Sequence, residues 1–145
     1  PLGVTVTPAY FDDVLDDAGI DASAHLRALL DAAKGGAQAL AVAEGLDITE
    51  FAGPLGSMAL ALRLPAIAPW RDFVVGGGLM SVGPNQTEMF KTAAQQVARV
   101  LKGEPIVAIP VAQPAPELVV SQRNARHLGI TLPAALLAKA KEVLA

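Results

Sequence analysis

Cysteine is absent from the 145 residues, which excludes disulfides and any thiolate-based metal or redox site while remaining compatible with every compartment. Histidine is scarce, with only His25 and His127. No cluster of Asp, Glu and His has the spacing of metal ligands, so neither a metal nor an organic cofactor is expected. A basic excess is missing too. The formal net charge is −3, and nothing in it forms a footprint for nucleic acid. Arg, Asp, Pro or Gly interrupts every apolar run before it reaches the roughly 20 residues a membrane helix needs. What remains is abundant core material. Hydrophobic residues make up 52% and charged ones 17%, a balance that excludes disorder and fills one domain of this length.

The charge is unevenly spread. Residues 1–50 carry nine acids and two bases, and residues 51–145 carry five acids and nine bases. The halves are either two solvated faces of opposite sign, or the acidic part faces a second lobe or subunit outside this chain.

The most informative stretch is GGGLMSVGPNQTEMFKTAAQQVARVLKG, residues 76–103. Three glycines open it and let a partner approach the main chain closely. Leu79 to Val82 is a short apolar piece, turned by Gly83-Pro84. Asn85 with Glu88 makes a capping-box pattern. Met89, Ala93, Val97, Val100 and Leu101, widened by Phe90 and Ala94, recur at helical spacing and predict a helix with one apolar face. Gly103 and Pro105 stop it.

Elsewhere, Val4 to Thr7 reads as a strand, and Asp12, Asp13, Asp16 and Asp17 as a solvated acidic loop lacking the glycine and closing glutamate of a calcium loop. Asp21 or Ser23 caps a helix with Ala22, Leu26, Leu29, Leu30 and Ala33 on one face. Ala39 to Ala43 and Pro65 to Pro69 read as buried strands. Between them lies a helix with Phe51, Leu55, Met58, Ala59 and Leu62, capped by Thr49, whose Gly53, Pro54 and Gly56 unsettle its first turns. Residues 106–116 form an extended connector. Leu118 to Val120 is a strand, Asn124 to Leu128 a short helix. A last helix, capped by Thr131, presents Leu136, Leu137, Ala140, Val143 and Leu144. Strands alternating with helices predict a single α/β domain over 1–145, built on a parallel sheet.

In such sheets ligands sit beyond the carboxyl ends of the strands. That rule selects Glu44 to Asp47, Ala68 to Arg71 and Ser81 to Asn85. Within them Ser81 offers a hydroxyl and Gly83 close backbone approach. The amides that Asn85 leaves at a helix start suit a carboxylate. Trp70 either stacks on an apolar ligand or plugs the core edge. Arg71 either forks a ligand carboxylate or pairs with a neighbouring acid. The expected ligand contacts are thus Ser81, Val82, Gly83, Asn85, Trp70, Arg71, Glu44 and Asp47. Catalysis is the less economical reading. His25 and His127 read as structural, Ser57 lacks the strand–turn–helix of a nucleophile elbow, and Gly76-Gly77-Gly78 has neither GxGxxG spacing nor a Walker lysine.

The series GGLMSVGP, AAQQVARVLKG, IPVAQP, ELVV and LGITLPAALLAKAKEVL resembles the ABC transporter substrate-binding protein family, in the class I periplasmic-binding-like group often found near tryptophan or tyrosine uptake systems. The resemblance begins at RLPAI and covers residues 63–145 almost without gaps. It implies a three-layer, parallel-sheet lobe of the periplasmic binding protein-like I fold. It also implies an extracytoplasmic solute-binding protein, not an enzyme, that delivers a small molecule such as an amino acid or small carboxylate to an ABC permease. In the family the Leu2-Gly3-Val4 phrase lies inside the chain, so this sequence, which starts at Pro1 without a signal peptide, reads as the C-terminal lobe of a longer two-lobe protein. Val82 stands where the family usually has tyrosine, and the loop at Glu44 lacks the family's aspartate, with Asp47 nearby. These loops select the ligand, so either a changed solute or an idle site follows. Two other readings stay open: a stand-alone homodimeric interaction module reusing the lobe, and a small α/β enzyme with an unrecognised site.

Overall fold

The computed structural model describes residues 5–8, 15–16, 19–20, 22–43 and 51–145. Two short antiparallel strands, β1 (Leu15–Asp16) and β2 (Gly19–Ile20), precede helix α1 (Ala22–Lys34). Strand β3 (Leu40–Ala41), helix α2 (Ala52–Ala61), strand β4 (Ala66–Ala68), helix α3 (Arg71–Gly76) and strand β5 (Met80–Pro84) then alternate. Helix α4 (Gln86–Leu101) and a 3-10 turn (Ile106–Ala108) follow. Strand β6 (Pro116–Ser121), helix α5 (Gln122–Leu128), the single turn α6 (Ala134–Leu137) and strand β7 (Glu142–Leu144) complete the chain.

The main sheet has the order β3-β4-β5-β6-β7. All neighbours are parallel except β5 and β6, which pair antiparallel from Met80 opposite Val120 to Pro84 opposite Pro116. The predominantly parallel α/β architecture predicted from the alternation is therefore present, with one reversed junction. That reversal decides the path of residues 85–115. They leave the sheet beyond β5 and re-enter beside it at the start of β6, at the same edge.

The core lies on the face to which Ala66 and Ala68 alternate. Leu29 of α1, Ala52, Leu55 and Ala59 of α2, Trp70, and Phe73 of α3 pack there. Leu29, Leu55 and Phe73 are essentially inaccessible, and full burial of such side chains stabilises by about 1.5–3 kcal/mol each. Glycine makes the α2–α3 contact possible. A Cβ on Gly56 would lie 2.3 Å from the Phe73 carbonyl oxygen, and one on Gly76 would lie 2.2 Å from that of Gly53. The Ser57 hydroxyl donates to the Gly76 carbonyl at 2.7 Å across this seam. The glycine run at 76–78 thus admits the chain's own helix rather than an outside partner, and it lies at the start of β5, away from that strand's carboxyl end.

Several other expectations are corrected. Thr5 to Pro8 form no strand, and Val4 lies outside the described residues, as do Asp12, Asp13, Asp17, Asp21 and Thr49. The buried stripe of α1 is His25 and Leu29, while Leu26 is exposed; His25 sits 5.0 Å from the Phe51 ring. Helix α3 was hidden by the glycines that follow it. The last predicted helix is only α6, because Val143 and Leu144 instead pair with the open edge of β6. The largest difference is α4. Its Asn85 cap is present, the side chain accepting from the Glu88 amide at 3.2 Å, yet the helix buries no residue.

Candidate functional site

A groove of about 720 Å³ opens beyond the carboxyl ends of β4 and β5. Strand register builds its floor. Ala68 lies beside Ser81, and Ser81 beside Val119, so these residues share a face, and the alternation of the pleat adds Gly83 and Glu117 to it. Helix α4 forms one wall with Met89, Phe90 and Ala93, and the start of α3 supplies Arg71 and Asp72.

Five of the predicted contacts come together here: Ser81, Gly83, Asn85, Trp70 and Arg71 all line the groove. Ser81 is 2% exposed, and among the described residues no hydrogen bond engages its hydroxyl. Gly83 is close to main chain, but to the chain's own: a Cβ there would stand 2.1 Å from the Pro69 carbonyl oxygen. Trp70 belongs to the hydrophobic core and shows the groove only an edge, at 7% exposure. Val82 turns to the opposite side of the pleat, is 46% exposed and is not part of the lining. Glu44 and Asp47 lie outside the described residues.

The electrostatics of the groove come from residues that sequence patterns did not single out. Arg71 donates through Nε and Nη2 to both carboxylate oxygens of Glu142, each at 2.7 Å. Arg71 therefore takes a neighbouring acid, but one at the opposite end of the sequence. The hydrogen bonds from Arg71 hold the Glu142 carboxyl below the ordinary glutamate range; burial opposes them, and the charge of the guanidinium adds a smaller lowering effect. Asn85 uses its amide Nδ2 to donate to Glu117 Oε2 at 3.2 Å, so one side chain caps α4 and ties it to β6. Only cross-strand pairing brings Glu117 and Glu142 here, and nothing local in the sequence marks either.

The groups considered for catalysis are elsewhere. His25 is fully buried, and neither it nor His127 lines the groove. Among the described residues no group of three or more His, Asp or Glu is placed to hold a metal ion, and no helix is long and apolar enough to cross a membrane. The arrangement offers hydrogen-bonding groups, charge and an apolar wall, which suits holding a molecule.

A family model described as ABC transporter substrate binding protein matches residues 13–144. The chain belongs to that family. No curated protein matches it. Among solved structures, the ABC domain in complex with L-Trp from Streptococcus pneumonia is 23% identical with a TM-score of 0.75, over 84% of this chain and 41% of that one. A conserved domain protein from Vibrio cholerae is 22% identical with a TM-score of 0.71, over 83% and 41%. A ligand-free, open substrate binding protein with adhesive properties from Clostridium difficile is 18% identical with a TM-score of 0.60, over 86% and 42%. These likenesses establish a shared periplasmic-binding-protein-like fold. The family member described here spans about two fifths of the length of each structure it matches.

Proposed function

We propose that this chain is most of the second lobe of a two-lobe solute-binding protein serving an ABC-type uptake transporter, outside the cytoplasm. The observation that carries the reading is the groove at the strand ends, with Ser81, a buried residue whose hydroxyl takes no hydrogen bond among the described residues, at its floor. A small solute rests there, accepting or donating a hydrogen bond at Ser81. A carboxylate of that solute suits the first amides of α4, at Gln86 and Thr87, which have no acceptor within their own helix. A second lobe closes over the solute and removes both from water before delivery to the membrane permease. The path of residues 85–115 favours this view. They depart and return at the groove's own edge and leave Phe90, Leu101, Val107 and Val111 from 75% to 93% exposed, as a segment reaching across to another lobe would. A second copy of this chain covering the same apolar face is the competing reading, in which the lobe is a dimeric module.

A thermal-shift screen of the full-length protein against amino acids and small carboxylates tests the proposal. Stabilisation should grow with ligand concentration, by about 2.7 kcal/mol at a hundredfold excess over Kd. Ser81→Ala should weaken the responding ligand several-fold. A full-length protein with both lobes folded that responds to no solute refutes the transport role, and a dimer in sedimentation analysis would then favour the module.

A further inference from the structure

The charged groups around the groove are not balanced. Its lining among the described residues holds one cation, Arg71, and three acids, Asp72, Glu117 and Glu142. Glu142 takes the Nε and Nη2 donors of Arg71 and offsets its charge, leaving only the Nη edge of the guanidinium open. Asp72 shares the field of the same Arg71, and Glu117 is left without a counter-charge in the lining. Glu117 is half-buried on the same face of the sheet as Ser81, its residue paired with Gly83, which presents no side chain. Its Oε2 takes the Asn85 amide, and no described residue donates to its Oε1.

Resting on the solute-binding reading above, we infer that the groove selects solutes carrying a protonated amine, with the Glu117 carboxylate as counter-charge and Ser81 as a neighbouring hydrogen-bond partner. An ammonium has three donors and no acceptor. It matches a carboxylate oxygen with an open lone pair and a hydroxyl able to accept, both held on one strand pair. A bare carboxylate meets the opposite situation: a guanidinium whose charge Glu142 already offsets and a surplus of negative charge, which repels it at short range. An anionic group suits the α4 amides best in a solute whose amine offsets the local field. Glu117 is thereby a specificity-determining residue, separating amines from simple organic acids that share their apolar part.

Two matched triplets test this on the full-length protein by calorimetric titration. The first is L-tryptophan, tryptamine and indole-3-propionate; the second is L-leucine, isopentylamine and 4-methylpentanoate. Members of a triplet share the apolar group and differ in amine and carboxylate. At least one triplet should show its amine-bearing members binding about tenfold or more tightly than the des-amino acid, the scale of one charge-assisted hydrogen bond. Glu117→Gln, which keeps the shape and the Asn85 contact, should abolish that discrimination with the circular dichroism spectrum and Tm unchanged. A des-amino acid binding as well as its amino acid overturns the inference from the wild-type protein alone, whatever the variant's folding. Unchanged amine affinity in Glu117→Gln overturns it as well. If neither triplet binds and the wider screen yields only solutes without an amine, this inference fails and solute binding stands. Silence throughout the screen removes both.

Discussion

Helices α2 and α4 make an instructive pair. By local signals α2 is the poorer helix, with glycine at 53 and 56 and proline at 54, and its Phe51 N-cap makes no side-chain hydrogen bond. Helix α4 has a capping residue that works, an acid in its first turn, a base in its last and an apolar stripe. Yet α2 buries Ala52, Leu55, Gly56 and Ala59 in the core, and α4 buries nothing. Capping and periodicity describe how readily a segment coils. They do not say whether anything lies opposite its apolar face. Gly56, which weakens α2 as an isolated helix, is what lets it press against α3, where a Cβ would strike backbone. Helix stability in proteins comes mainly from such packing, and α4 has its good local chemistry in place of it.

The comparison breaks most visibly at the α2–α3 seam. Gly56→Ala should cost about 3 kcal/mol, because overpacking against backbone cannot be relieved by a rotamer change. Urea denaturation reads this as a lower midpoint at constant slope, and a loss below half that figure would mean the seam yields. On α4, the double substitution Phe90→Ser with Leu101→Ser should change the stability of this 145-residue chain by under about 0.5 kcal/mol. The same pair in the full-length protein should cost about 2 kcal/mol or more, since buried aromatic and aliphatic groups are then lost. Equal, small effects in both would leave α4 bare and remove the second lobe from its apolar face.

The smallest effect concerns the groove rim. Glu142 titrates below its ordinary value in the folded state, so the Arg71 pair adds stability that is present above pH about 4.5 and lost as pH falls through the lowered folded value. Both side chains are more than a third exposed, at 53% and 36%, and solvent screening keeps the contribution under about 1 kcal/mol. Glu142→Gln should flatten that part of the acid limb of the stability profile. A profile unchanged by the substitution would show that the pair is only a contact.

Much of the fold was readable because it depends on local repetition. The short apolar runs at Leu40–Ala41, Ala66–Ala68 and Met80–Pro84 became parallel neighbours. Gly129, in the left-handed region at φ 72°, ends α5 at Leu128, the bound expected for it. The last segment was misread because Leu136, Leu137, Ala140, Val143 and Leu144 satisfy a helical period, while the vacant edge of β6 offers Val143 and Leu144 backbone partners that no periodicity records. Asn124 carried no signal either. It is 1% exposed and donates through Nδ2 to the carbonyls of Val74 and Gly78, at 3.0 and 2.9 Å, so that α5 holds the end of α3.

For the groove, the rule that ligands gather at strand carboxyl ends picked out Ser81, Gly83 and Asn85, which line it, because the rule needs only strand direction. It took in Val82 as well, since a range of residues ignores which side of the pleat each one faces.

By itself, the order of the amino acids determined which segments coil, which extend and which loops lie together at one end of the sheet, all consequences of short-range sterics and spacing. Only the tertiary structure decided that β6 runs against β5, that Glu142 closes on Arg71 and Glu117 on Asn85, and that the best-formed helix stays uncovered. Those outcomes depend on which strands meet at which register, a choice made between residues far apart in the chain and invisible to any local pattern.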